Sequence, residues 1–286
     1  MTPDWFQQHL DQRPEHRYIE VDGAIIHYQY WPATTKRDHG SLIFVHGHAA
    51  HAHWWDFIAP AFRDRYDLVA LDMSGSGDSD HRAAYSAAAF GQEILAVSKD
   101  AGLQKPTIVG HSFGGAMTRI AAWQHRDAFS EIVLVDSAIP HHKGARTAPP
   151  MPKIKERYYP SLKEGMRRFR LRPPQACENQ YVLDHIAAHS LKTTEQGFQF
   201  KYDSAVFAKM QHTEDFPSAA DMIKDLTIPV NIIYGEKSRF FPSEAIAELT
   251  QLVDQTRIWG IPDAHHHVFL DQPIGFIDVL NDLLSR

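Results

Sequence analysis

Cysteine is nearly missing from this chain: Cys177 is the single one among 286 residues. No internal disulfide can form, so the thiol count gives no pointer to an oxidising compartment. Also lacking is any apolar run near the roughly 18 residues that a membrane span requires. The opening stretch, Met1 to Gly23, is polar and charged where a signal peptide carries an apolar block. A soluble cytoplasmic protein is the expectation. Basic excess is absent too: the formal net charge is −6, which argues against nucleic acid as the general partner, because neutralising phosphates takes a cationic face. No internal repeat or low-complexity tract is found.

What the chain does have is 43% hydrophobic residues, enough to bury a large core as one domain or as a domain with an insertion. "YIEVDGAIIHYQY" predicts two antiparallel strands about a tight Asp22-Gly23 turn. "SLIFVHG", "YDLVALD", "PTIVGH", "EIVLVD", "PVNIIYG" and "TRIWGI" are short runs rich in Val and Ile, as strands covered on both faces should be. Helix-length segments such as Ala83 to Gly102 and Met117 to His125 separate most of them. This alternation predicts an α/β fold, a mostly parallel sheet of eight strands with helices on both faces, in which ligands bind at the carboxyl ends of the strands.

One segment stands apart. Lys143 to Arg172 holds ten Lys or Arg against Glu156 and Glu164, a net of +8, so the remainder of the chain sums to −14. Pro149, Pro150, Pro152, Pro160, Pro173 and Pro174 break it into short helices and turns.

The chemistry-bearing residues lie at strand ends. In "IVGHSFGGA" a strand stops at Gly110-x-Ser112-x-Gly114 and a helix follows. A serine at so sharp a turn needs a strained backbone, and the residues two before and two after crowd together, which favours glycine. A second strand ends in His46-Gly47 and a third in the small-residue turn Asp72 to Asp80. With the late "IPDAHHHVFLDQP", these motifs resemble in order those of the α/β-hydrolase superfamily, over the chain except for the basic insertion and the first residues.

The resemblance implies the α/β-hydrolase fold, Ser112 as nucleophile and His266 as general base, with the neighbouring His265 and His267 as alternatives because His265 stands where the family usually has glycine. It implies an oxyanion hole from the backbone N–H groups of His48 and Phe113. It also implies that the insertion after the sixth strand is a helical cap, residues 138–222, over a core of residues 1–137 and 223–286. The family's usual acid position is occupied by Ser238, which cannot hold a charge. Two carboxylates remain open: Asp136, closing the "EIVLVD" strand, is the expected acid, and Glu236 is its competitor, facing the same side as position 238 but about 6–7 Å further back.

Serine excludes some relatives' reactions. Haloalkane dehalogenases and most epoxide hydrolases of the superfamily attack an alkyl carbon with aspartate, leaving an ester that water cleaves; serine would leave a stable ether. Nor is Phe113 the tryptophan with which dehalogenases hold halide. Acyl transfer to water is the natural reaction, so a carboxylic ester hydrolase acting on a small-molecule acyl substrate is the expectation. A hydrolase of carbon–carbon bonds in dienoate-type substrates and a slow-turnover, receptor-like binding protein are the alternatives. The basic segment is either a solvated outer face of the cap or a device for recognising anionic substrates. No cofactor is expected, and no metal on His46, His48, His51 and His53, which lack carboxylate-backed ligand spacing. Trp54 and Trp55 are expected to pack under their loop, with one of them a candidate for the substrate pocket. Cys177 is expected to be a filler residue, and the Asp72 to Asp80 turn is expected to be structural.

Overall fold

A computed structural model describes residues 2–35, 40–139, 157–211 and 214–286. Eight strands make one sheet: β1 (Glu15–Val21), β2 (Ala24–Trp31), β3 (Gly40–Val45), β4 (Tyr66–Leu71), β5 (Thr107–His111), β6 (Glu131–Val135), and then, after an insertion, β9 (Val230–Gly235) and β10 (Ile258–Ile261). The spatial order is β1-β2-β4-β3-β5-β6-β9-β10. β1 and β2 pair antiparallel, β2 pairs antiparallel with β4, and the other pairings are parallel. The β1–β2 hairpin turns on Asp22 and Gly23 at φ 48° and 75°, the doubly positive geometry of the turn that matches strand twist.

The central strands are buried because both faces are covered, and successive residues divide between the two layers. Ile43, Val45, Ile108, Ile132, Leu134 and Ile232 face one core, which includes Phe90 and Ile94 of the helix Ala87–Asp100 and Met117 of the helix Phe113–Gln124. Leu42, Phe44, Val109, Val133, Val135 and Ile233 face the other, with Phe276 and Leu280 of the helix Pro273–Leu284.

The insertion lies between β6 and β9. Its described part holds the helices Leu162–Met166 and Gln180–His189 and an antiparallel hairpin of β7 (Leu191–Thr194) and β8 (Gly197–Phe200); most of the basic stretch before Arg157 lies outside the described residues. The insertion, expected to hold short helices and turns, therefore also contains strands. The helix Gln180–His189 seats Val182 and Ile186 in the second core layer, and Asn179 Nδ2 ahead of it donates to Leu270 O at 2.8 Å. No helix among the described residues is long and apolar enough to cross a membrane.

Candidate active site

β5 ends at His111, and Ser112 turns the chain into the helix Phe113–Gln124 with φ 53° and ψ −116°. A non-glycine residue held there costs on the order of 1–3 kcal/mol and persists only because its surroundings fix it. Ser112 N donates to Val135 O at 2.9 Å and Ser137 Oγ donates to Ser112 O at 2.8 Å. The glycines are required by close approach: a Cβ at Gly110 would lie 2.8 Å from Gly114 O, and one at Gly114 would lie 2.3 Å from His46 O.

Because β6 runs beside β5 with His111 opposite Val135, the residue after β6 comes up beside Ser112. That residue is Asp136, itself at φ 44° and only 1% exposed. Its Oδ2 accepts from Gly235 N at 3.0 Å, and its Oδ1 accepts from Ser238 Oγ at 2.7 Å and from His266 Nδ1 at 2.7 Å. A carboxylate only accepts, so the His266 proton sits on Nδ1 and leaves Nε2 to accept from Ser112 Oγ, 2.9 Å away. Ser112, His266 and Asp136 thus form one hydrogen-bonded chain drawn from three strand ends.

The competing residues point elsewhere. Glu236 is exposed, and its backbone N–H pairs with Ile261 O. His265 engages Asp271 through its backbone N at 2.8 Å and its Nδ1 at 3.1 Å. His267 Nε2 donates to Pro173 O at 3.2 Å, and burial pushes its pKa down to about 3. His111, invisible to sequence reasoning, supports the His266 backbone by donating Nε2–H to His266 O at 3.0 Å. Burial, followed by the neighbouring His266 and His267, holds His111 well below the usual imidazole range. It is therefore neutral and adds no charge beside His266.

The His46-Gly47-His48 segment adjoins the serine: a Cβ at Gly47 would lie 3.4 Å from Ser112 Cβ. His46 fixes this turn by donating Nδ1–H to Gly47 O at 2.7 Å and accepting Met73 N–H at 3.1 Å. Phe113 starts its helix, so its N–H is one of those with no intrahelical acceptor. The Asp72 to Asp80 turn is built around fully buried Asp72, which accepts from Ala52 N, Asp78 N and His27 Nδ1.

A profile of the α/β-hydrolase fold matches residues 40–273. The chain is an α/β hydrolase. Over 95% of its length it is 21% identical to epoxide hydrolase 3 of Xenopus tropicalis, covering 78% of that protein. It is 25% identical to the 2-hydroxy-6-oxo-2,4-heptadienoate hydrolase of Pseudomonas putida, over 85% of this chain and 88% of the other. Among solved structures, E-2-(acetamidomethylene)succinate hydrolase superposes with a TM-score of 0.77 at 18% identity, over 96% of this chain and 100% of that one.

In this α/β hydrolase a cavity of about 460 Å³ opens between core and insertion, lined in part by His48, Trp54, Arg157, Arg168, Arg172 and Tyr202. Ser112 is not among its lining residues; His48, next to the Gly47 that adjoins the serine, is. Asp203, also on its wall, is already matched by Lys209 Nζ at 2.6 Å, which leaves the chamber cationic. Burial and then the Arg172 charge push His48 down to about 4. Trp54 lines the cavity. Trp55, fully buried, does not: it stacks on Phe269 at 4.4 Å. His46, His48, His51 and His53 do not converge on one point. Among the described residues the ligand-type groups that do gather are His53, Asp56, His185 and His189; His111, His266 and His267; and His27, Asp72 and Asp78.

Proposed function

We propose that this α/β hydrolase is a serine esterase that cleaves small carboxylic esters carrying a negative charge, through an acyl-Ser112 intermediate. The observation that carries the reading is the continuous chain from Ser112 Oγ to His266 and on to Asp136, at 2.9 and 2.7 Å. Ser112 Oγ attacks the ester carbonyl while His266 Nε2 takes its proton, and Asp136 holds the ring in the required tautomer and stabilises the imidazolium. The anionic oxygen of the tetrahedral intermediate is received by the N–H groups of His48 and Phe113, each contributing on the order of 3 kcal/mol. His266 then protonates the leaving alcohol. A water activated by the same nitrogen cleaves the acyl-enzyme and frees the acid. Residues 138–222 act as the lid that selects the substrate, with Arg157, Arg168 and Arg172 facing its anionic group.

The test is a panel of p-nitrophenyl esters, neutral and carboxylate-bearing, with Ser112→Ala as control. Turnover that vanishes in the variant and favours the anionic esters is expected; turnover that survives in Ser112→Ala removes the reading. The cationic chamber also fits a dienoate, as the Pseudomonas relative's name describes, so C–C bond hydrolysis is the second reading. Loss of a dienoate chromophore without ester turnover would favour it. Attack on an epoxide has no such support, because the alkyl-serine ether would be a dead end.

A further inference from the structure

From the meeting of His53, Asp56, His185 and His189 at the seam between core and insertion, we infer a transition-metal site of the zinc class that clamps the two together. One ligand atom from each residue lies within 4.8 Å of all the others. Two belong to the core turn around Ala52–Trp55, and two to one face of the helix Gln180–His189, four residues apart. Three imidazoles and one carboxylate form a four-ligand N₃O set. It suits zinc, with bonds of about 2.0–2.2 Å, and is wrong for calcium or magnesium, which take mainly oxygen.

The geometry is already organised for a cation. Asp56 Oδ2 accepts from His53 Nδ1 and His185 Nε2, both at 2.8 Å, so both nitrogens already lie against this oxygen. Asp56 Oδ1 is held by Gln29 Nε2 at 3.0 Å, the outer support that ligating carboxylates require. His189 Nδ1 lies 2.9 Å from His185 O. A carbonyl only accepts, so the His189 proton is on Nδ1 and Nε2 keeps a free lone pair. On binding, His53 and His185 each give a lone pair to the metal in place of the proton now shared with Asp56, and each ring keeps one proton by moving it to its other nitrogen.

Trp54 and Ser190, which directly follow His53 and His189 in the chain, line the cavity. An ion here therefore fixes the spacing of two of its walls. The site lies apart from Ser112, so its existence does not depend on the esterase reading.

Tag-free protein is dialysed against Zn²⁺ and, in parallel, titrated with Co²⁺, whose visible absorption reports a four-coordinate centre. One equivalent of metal and a rise in Tm are expected. His189→Gln, which leaves the hydrogen bonds to Asp56 in place, and Asp56→Asn should each weaken binding at least about tenfold, while His266→Ala leaves it unchanged. Absence of stoichiometric binding overturns the proposal. So does binding that survives both seam variants, or binding that is lost in His266→Ala, which would put the ion on His111, His266 and His267.

Discussion

Asp136 Oδ1 receives two donors, the Ser238 hydroxyl and the His266 ring, at 2.7 Å each. The serine that stands at the usual acid position is therefore a partner of the acid one strand away. Its loss should cost more than an ordinary surface hydroxyl, because hydrogen bonds to charged groups are worth about 1.5–3 kcal/mol. Ser238→Ala is expected to lower kcat roughly tenfold with KM little changed, the bond contributing part of its worth to the transition state. Asp136→Asn is expected to lower kcat by about 10⁴, since the amide favours the wrong tautomer, and Glu236→Gln to stay near wild type; steady-state kinetics at matched Tm decide, and a heavy loss in the glutamine variant would reverse the assignment. Ser112 and His266 could be named as candidates from the sequence because strand-end motifs carry them. The choice between Asp136 and Glu236 could not be closed there. It depends on Ser238 and Asp136 meeting across β6 and β9, a tertiary fact with no local signature.

The strands were legible because each is a short Val- and Ile-rich run ended by turn residues, and each pair of neighbouring residues divides between two core layers. The β7–β8 hairpin was not: its four-residue strands are half exposed and sit in a segment whose prolines suggested helices and turns. The seam histidines were hidden for another reason, since His53 and His185 are far apart in sequence and nothing near either marks the other. The helix Gln180–His189 holds to the core largely through Val182 and Ile186, both fully buried. Ile186→Ala should cost about 2–5 kcal/mol. Denaturant melts give the size of that loss, and limited proteolysis should cut between residues 157 and 211 before the sheet opens. Cleavage no faster than in the wild type would show that the insertion is not docked by this face.

Taken as a whole, the molecule keeps many of its 19 histidines away from water. Burial lowers His46, His51 and His111, and pushes His48 to about 4 and His267 to about 3. A histidine with a depressed native pKa lets the unfolded chain take up the proton first. Stability from these groups is therefore complete above about pH 6.5 and drains away as the pH falls toward 4, by about 1.4 kcal/mol per pH unit for each group involved. His53 runs the other way: burial would lower it, but the Asp56 charge and hydrogen bond outweigh that and raise it, so its contribution is present below about pH 6.5. Asp56 and Asp72 are held well below the carboxylate range despite burial, by their histidine partners, and keep their contributions above about pH 4. The net expectation is a Tm that falls steeply between pH 6.5 and 4; a flat urea-unfolding profile over that range would contradict it. The cationic chamber adds a second whole-molecule expectation: kcat/KM for anionic esters should fall with ionic strength while that for neutral esters stays level, and equal profiles for both would remove its steering role.

Ser112 and His266, the proposed nucleophile and base, are 154 residues apart in the chain, with the insertion between them. At a synthesis rate of about 5–20 residues per second, roughly 8–30 s separate the appearance of Ser112 from that of His266 on the ribosome. Throughout that interval the elbow and the acid can exist without a base, so a nascent chain should be silent toward fluorophosphonate probes. Reactivity then dates the moment when the last part of the sheet has closed around the first.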